Sequence, residues 1–339
     1  MTKIAINGFG RIGRLFLKQI IDKKGVEIVV INDLGDVKNL AYLLKYDTVY
    51  GRYEKEIKTS AGKLIVGGKK INFIQEKDPT KLPWKKFKID IVVEATGLFE
   101  SYEKAKVHLA SGAKRVVITA PAKDDDGTLG RTVLMGVNDK DMKICPITSN
   151  GSCTTNSASP VIQILSEKPG IKKAVLNTIH AYTATQSIVD GPTKGEDYRR
   201  GRAAAQNISP STTGAAVAVT RAIKELNGKF DGMAIRVPAV TGSIADITFV
   251  SKRKTSVNEI NKILKNAAAS PRWKGILKVT DEQIVSSDII GEPHGAIVDL
   301  SFTKVIDGDL VKVLSWYDNE AGYVSTLVKH VLEAARLVR

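Results

Sequence analysis

The chemistry of this sequence begins with its two cysteines. Cys153 lies in Ser149-Asn150-Gly151-Ser152-Cys153-Thr154-Thr155-Asn156, a small, polar turn, and a helical pattern begins just after it. A thiol at a helix N-terminus is expected to have a lowered pKa and more thiolate at neutral pH, which makes it a candidate nucleophile. A buried structural cysteine is the alternative reading. It suits Cys145 better, because Lys143-Ile144-Cys145-Pro146-Ile147 reads as an apolar strand. Four histidines could partner a thiol. His108 and His330 fall on expected helices, with surface or packing roles, and His294 follows Gly-Glu-Pro in a loop. His180 ends the strand pattern Ala174–His180, just before the polar Ala-Tyr-Thr-Ala-Thr-Gln. Strand ends are where sheet enzymes place their chemistry. Ordinary packing remains the alternative for any lone histidine.

A second constellation points to a phosphate. Gly8-Phe9-Gly10-Arg11-Ile12-Gly13 fits G-x-G-x-x-G, follows an apolar strand and opens an amphipathic helix. A second strand follows and leads into Asp33, 20 residues past Gly13. Glycines let the backbone approach a pyrophosphate, which sits on the positive end of the helix. A carboxylate at the end of the second strand accepts hydrogen bonds from ribose hydroxyls. The alternative is a tight strand-to-helix turn with no ligand. Asp124-Asp125-Asp126 has no calcium-loop spacing after it and reads as a solvated charge run, so no metal site is expected.

These groups need elements to hold them. Lys3–Asn7 reads as a short strand, and Arg11–Asp22 carries Ile12, Leu15, Phe16 and Ile20 at helical spacing. Val26–Asn32, Ile89–Glu94 and Arg115–Thr119 are β-branched runs of the kind found in buried parallel strands, with a helix over Tyr102–Ser111. Such alternation predicts a Rossmann-type α/β sheet with right-handed crossovers. The middle of the chain reads as α+β with a large mixed sheet. A helix is expected over Thr154–Leu165, with Pro160 bending it or marking its true start. Strands are expected at Lys172–His180, Met233–Pro238, Ile244–Lys252, Ile297–Val305 and Leu310–Tyr317, and a helix at Gly214–Leu226. Gln186–Asn207 is a long polar loop, and loops of that length are more often functional than incidental. Val324, Leu327, Val328, Val331, Leu332 and Ala335 line one face of a final helix.

Length and composition bound the rest. A chain of 339 residues suggests two domains, and 43% hydrophobic with 26% charged residues argues against disorder. No apolar run approaches the roughly 18–20 residues of a membrane span. The first residues run straight into a strand pattern, so no secretory leader is expected. Two cysteines cannot build a disulfide framework, and a reducing, cytoplasmic compartment is expected. The formal net charge of +15 attracts polyanions and small phosphorylated substrates alike. The basic residues are spread out, with no basic arm, so nucleic acid is not expected as the main partner.

Asn7-Gly-Phe-Gly-Arg-Ile-Gly-Arg14, Ser152-Cys-Thr-Thr-Asn156, Thr178-Ile-His-Ala-Tyr-Thr-Ala-Thr-Gln186 and Trp316-Tyr-Asp-Asn-Glu320 occur in this order. Together they resemble the phosphorylating glyceraldehyde-3-phosphate dehydrogenase family over essentially the whole chain. The resemblance implies an NAD-binding domain at 1–152, a catalytic domain at 153–318, and a C-terminal helix, 319–339, that packs back onto the first. It implies Cys153 as nucleophile and His180 as the base that activates it. Arg11, Ile12, Asp33, Lys77, Thr119 and Asn319 match cofactor contacts, with Asn319 on the nicotinamide carboxamide. Thr183 and Arg236 match the site for the substrate's own phosphate. Ser152, Thr154, Thr213 and Gly214 match substrate and inorganic-phosphate contacts, and Arg200 a further phosphate contact. The Gln186–Asn207 loop matches the S-shaped loop that lines a neighbouring subunit's cofactor site, which implies a homotetramer.

The implied reaction is oxidation of glyceraldehyde 3-phosphate through a hemithioacetal and a thioester, which inorganic phosphate cleaves. A relative that oxidises erythrose 4-phosphate is the second enzyme reading; Thr183, Thr213 and Gly214 speak against it. A nucleic-acid-binding protein using the dinucleotide groove is the alternative from another class. Asp33, Leu34 and Pro192 fit the family's NAD-using rather than NADP-using type. The chain departs from the family at Ser157, where a second cysteine is usual, at Gly151, at Ala321, and in a Gly191–Asp197 stretch one residue longer than usual.

Overall fold

The computed structural model describes residues 1–193 and 195–338. Lys194, in the lengthened Gly191–Asp197 stretch, and Arg339, at the end of the final segment, lie outside the described residues. The chain divides into two units, one of residues 1–151 with the stretch from Val324 onward, the other of residues 152–323.

Sequence alternation builds the first unit as read. Its sheet has nine strands among the described residues, in the order Gly130–Thr132, Ile147–Ser149, Arg115–Ile118, Ile91–Glu94, Thr2–Asn7, Val26–Asn32, Lys69–Ile74, Lys63–Val66 and Ile57–Ser60. The first seven in that order run parallel, and all four residues of Ile91–Glu94 are buried. Chain order reverses at Thr2–Asn7, which pairs with Val26–Asn32 on one side and Ile91–Glu94 on the other. Its register sets Asn7 opposite both Asn32 and Glu94, so three strand ends meet where the glycine-rich turn leaves the sheet. Ligands of such sheets bind at that switch point.

Several local expectations need correcting. The expected helix Tyr102–Ser111 is two short helices, Tyr102–Ala105 and Val107–Ala110, the first capped by Ser101. Cys145 sits buried in the turn before Ile147–Ser149, not in a strand. The antiparallel edge was not expected, although Gly67-Gly68, both at positive φ, is a hairpin signal between Lys63–Val66 and Lys69–Ile74. Helices Val37–Lys45, capped by Asp36, and Val257–Ala268, capped by Ser256, were also not expected.

The second unit holds a seven-stranded mixed sheet, in the order Ser209–Thr212, Phe230–Val237, Ile171–Ala181, Ser243–Ser251, Leu310–Tyr317, Ala296–Ile306 and Leu277–Thr280. Ile171–Ala181 runs parallel to Phe230–Val237 and antiparallel to Ser243–Ser251. The helix Cys153–Glu167 begins seven residues before Pro160 and carries the proline inside it. The start is set by Ser152, whose hydroxyl accepts from Thr155 N, while Thr155 Oγ1 accepts from Ser152 N. Continuous burial from Thr154 to Ile162 then offsets the hydrogen bond that Pro160 cannot make.

The last helix, Ala321–Arg336, belongs to the first unit from Val324 onward. There His330 meets Thr148 Oγ1 at 2.7 Å and Asn150 Oδ1 at 3.1 Å, and Thr2 donates its hydroxyl to Ala335 O. Among the described residues no helix is long and apolar enough to cross a membrane, and no group of three or more His, Cys, Asp or Glu could hold a metal ion.

Candidate active site

Cys153 is the first residue of its helix, placed there by the Ser152 cap. The neighbouring strand Ile171–Ala181 delivers His180 near its end, and Cys153 Sγ lies 3.3 Å from His180 Nε2. The parallel register sets Arg236 opposite His180. Arg236 Nη1 is 2.8 Å from His180 Nδ1 and 3.1 Å from Ala181 O, and Nδ1 is 2.6 Å from the same carbonyl. Tyr317, fully buried, bridges Thr154 Oγ1 at 2.8 Å and Thr178 Oγ1 at 2.7 Å, and its ring stands edge-on to His180.

Electrostatics here runs against one expectation. Helix N-terminal placement alone predicts a lowered thiol pKa. Burial instead pushes the Cys153 thiol up, outweighing Arg236 and the Thr154 N–H, which favour thiolate. Burial likewise pushes His180 down to about 3, and the Arg236 charge pushes the same way. Both groups are held toward their neutral forms. Cys153 itself is only half-buried, so the packed surroundings that desolvate a thiolate still leave accessible surface for a small aldehyde. Cys145 is buried and pushed up to about 11.

The other residues singled out in this unit fall into two groups. Arg200 donates to Thr185 Oγ1 and Ser211 Oγ and lies 3.7 Å from Asp197 Oδ2, while burial, with a smaller push from the Arg200 charge, holds Arg236 below its ordinary range. Thr183 is half-buried and bonded to Thr185, while Thr213 Oγ1 accepts from Ala215 N and Gly214 begins the helix Ala215–Ala222. Thr154 is different: its hydroxyl is buried against Tyr317. Asn319 Oδ1 accepts from Thr241 Oγ1, Gly242 N and Ser243 Oγ, which fixes the orientation of its amide. Ser157, buried, sits 2.9 Å from Ser315 Oγ.

Sequence reasoning passed over Tyr317 as a site residue. Its only signal was an aromatic at the end of a strand, directly before Asp318 and Asn319.

In the first unit the glycine-rich turn has the expected cradle. Gly8 has φ +95°, and a Cβ there would come 2.6 Å from the Ala95 and Thr96 backbone. A Cβ at Gly13 would meet Gly8 O at 2.2 Å, so helix and strand approach too closely for a side chain. A Cβ at Gly10 would meet nothing within 4 Å. Gly10 is the N-cap of helix Arg11–Ile20, with no side-chain cap, so the space and N–H groups that an anion needs are present. Asp33 Oδ2 accepts from Phe9 N at 2.6 Å and Oδ1 from Gly35 N at 2.8 Å. Arg11 pairs with Asp47, Ile12 is half-buried, Lys77 is exposed, and Thr119 follows the strand Arg115–Ile118.

Residues 2–102 match the family model of the glyceraldehyde 3-phosphate dehydrogenase NAD binding domain, and residues 152–319 that of the C-terminal domain. The chain is 46% identical to a glyceraldehyde-3-phosphate dehydrogenase of Clostridium pasteurianum across the whole of both chains. It is 50% identical to that of Thermotoga maritima over 97% of each chain, and 44% identical to glyceraldehyde-3-phosphate dehydrogenase B of Aspergillus oryzae over 95% of each.

Proposed function

This chain belongs to the glyceraldehyde 3-phosphate dehydrogenase family, and from that premise we propose that it oxidises and phosphorylates glyceraldehyde 3-phosphate, with Cys153 as nucleophile and His180 as base. The observation that carries the reading is the 3.3 Å approach of Cys153 Sγ to His180 Nε2, with the Arg236 guanidinium 2.8 Å from the other ring nitrogen. Sγ adds to the aldehyde carbon, giving a hemithioacetal. His180 Nε2 takes the hydroxyl proton as hydride leaves that carbon. NAD, when bound, supplies the two-electron acceptor. Inorganic phosphate then displaces the Cys153 sulfur from the thioester, releasing an acyl phosphate and the free thiolate. Covalent catalysis divides one hard step into two easier ones, and the thioester keeps the oxidation energy that hydrolysis would discard.

Arg236, Thr183 and Arg200 are assigned to phosphate binding, and Ser152, Thr154, Thr213 and Gly214 to substrate and inorganic-phosphate contacts. Charge-assisted N–H donors are the strong ligands for such oxygens. The residues of the glycine-rich turn fit a dinucleotide, since Gly10 leaves open space at an uncapped helix end. Arg11, Ile12, Asp33, Lys77, Thr119 and Asn319 are assigned to NAD. A homotetramer in the cytoplasm completes the reading. It is supported by the exposed Ile188, Val189 and Tyr198 of the long loop, apolar residues that a partner subunit would cover.

One assay tests the activity. Protein with glyceraldehyde 3-phosphate and NAD should produce the reduced-nicotinamide absorbance, strongly dependent on phosphate or arsenate. Absence of that signal with freshly reduced enzyme overturns the proposal. Equal turnover of erythrose 4-phosphate without phosphate would favour the other enzyme.

A further inference from the structure

Three atoms beside the reactive pair cannot all be satisfied at once. His180 Nδ1 lies 2.6 Å from Ala181 O and 2.8 Å from Arg236 Nη1, and Nη1 is 3.1 Å from that carbonyl. A neutral ring nitrogen either carries a proton and donates, or is bare and accepts. With a proton, Nδ1 donates to Ala181 O but confronts an N–H of a guanidinium that stays charged. Without one, it accepts from Arg236 but sets its lone pair against the carbonyl oxygen.

The choice at Nδ1 decides the other end of the ring. A bare Nδ1 puts the proton on Nε2, so the ring points an N–H at Cys153 Sγ and cannot take a proton from it. A protonated Nδ1 leaves Nε2 bare, 3.3 Å from the thiol, which is the form a base requires. Arg236 therefore opposes the reactive form by geometry as well as by charge.

What could draw it away is visible in what it lacks. Among the described residues no carboxylate pairs with Arg236; its partners are a ring nitrogen and a carbonyl. Arg200 is tied to Thr185 and Ser211 and lies 3.7 Å from the Asp197 carboxylate. A guanidinium without a carboxylate partner, as Arg236 is, favours an anion with several acceptor oxygens.

We propose that Arg236 is a positioning residue that couples substrate to base. It holds His180 in the unreactive tautomer until a phosphate group takes its N–H donors, whereupon the ring gives up its Nε2 proton to solvent and gains one at Nδ1, which donates to Ala181 O and leaves Nε2 bare for Cys153. This rests on the assignment of Cys153 and His180 as the reactive pair and of Arg236 to the substrate's phosphate. It makes the phosphate of the aldehyde a switch as well as a handle. Aldehydes without one leave Arg236 against the ring.

The test uses intact, NAD-free enzyme with 15N-labelled histidine, in phosphate-free buffer at pH 7. Nitrogen–proton correlations report which ring nitrogen of His180 is protonated, with His180→Asn identifying the resonances. Glycerol 3-phosphate, which has the phosphate but no aldehyde, is the probe, and inorganic phosphate is the second arm. Glycerol 3-phosphate should move the His180 proton toward Nδ1 and speed Cys153 alkylation by iodoacetamide about tenfold, the effect of one unit in the pair's proton equilibrium. A response to inorganic phosphate alone would place the effective anion elsewhere and overturn the assignment to the substrate's phosphate. Arg236→Leu should show the Nδ1-protonated pattern with no anion added, provided its thermal melt stays near wild type.

An unchanged His180 pattern in wild-type enzyme at saturating glycerol 3-phosphate overturns the proposal even if that variant fails to fold. If Cys153 is still the thiol that alkylates first and the enzyme turns over, only this inference has failed. If Cys145 alkylates first and there is no turnover, the functional reading has failed.

Discussion

At the scale of single residues, the two thiols are separated by what faces them. Cys145 points into a buried turn beside Ile147 O and Asp141 O, and burial pushes it up to about 11. Cys153 has a ring nitrogen at 3.3 Å and accessible surface. Iodoacetamide should therefore label Cys153 first, as read by peptide mass spectrometry. Cys153→Ala should abolish turnover, while Cys145→Ala keeps most of it. His180→Asn should slow the reaction by about 10²–10⁴, the usual worth of acid–base help; a drop smaller than that would mean another group takes the proton. Arg236→Leu should raise KM for the phosphorylated aldehyde and lower kcat, whereas Thr213→Ala should weaken use of inorganic phosphate more than NAD binding. Steady-state kinetics in both variants indistinguishable from wild type would remove the phosphate assignments. Asp33, assigned to the adenosine ribose, should set a preference for NAD. Its carboxylate is held by the Phe9 and Gly35 amides, so it cannot easily turn from a ribose 2′-phosphate. Two unit charges about 4 Å apart repel by roughly 4 kcal/mol at an effective dielectric of 20. Comparable kcat/KM with NAD and NADP would contradict that assignment.

At the scale of elements, the nucleophile is only as well placed as the start of its helix. Ser152 and Thr155 satisfy each other's backbone amides, and this reciprocal cap puts Cys153 at the first helical position. Ser152→Ala should lower stability by about 0.5–2 kcal/mol in a denaturant titration, and Cys153 alkylation should slow in the same variant. Retained alkylation with lost stability would show that the helix holds the thiol without its cap.

The final helix makes a separate prediction through His330. Burial pushes this base down to about 3, from an ordinary value near 6.5 in the unfolded chain. Below about pH 6.5 the unfolded chain binds a proton that the folded one refuses, so the stabilisation from neutral His330 is full above that pH. It falls away as pH drops from 6.5 toward 3. Protection factors over Ala321–Arg336, which correct exchange for its slower intrinsic rate at lower pH, should fall between pH 7 and pH 5, and less so in His330→Gln. Equal pH dependence in both proteins would assign the effect to other groups, His180 among them.

At the scale of the whole molecule, large apolar side chains stand exposed on the sheet and on the long loop of the second unit. Val175 and Met233 project from strands of the mixed sheet, and Ile188, Val189 and Tyr198 from the long loop. Native mass spectrometry at micromolar concentration should find four copies. A monomer that keeps full activity would refute both the tetramer and the role of that loop in a neighbour's cofactor site. The formal charge of +15 acts over the same scale. It attracts phosphorylated substrates at long range, so kcat/KM should fall as salt rises.

What the sequence determined by itself was local and periodic. β-branched runs separated by helical spacing specified a parallel sheet, because strands buried on both faces need continuous apolar sequence. Gly8 and Gly13 specified the turn beyond the first strand, because only glycine tolerates φ +95° or a backbone atom 2.2 Å from its missing Cβ. Cys153 was legible as a helix-start thiol because its cap lies one residue away. Three things were decided only in the tertiary structure. Arg236 stands on His180 across 56 residues, because strand register alone makes that pair neighbours. Tyr317 reaches Thr154 and Thr178 for the same reason, through sheet pairing and a helix laid on it. The proton preferences of Cys153 and His180 came out opposite to what helix position suggests for the thiol, because desolvation depends on every chain segment packed around a group and no local motif encodes it.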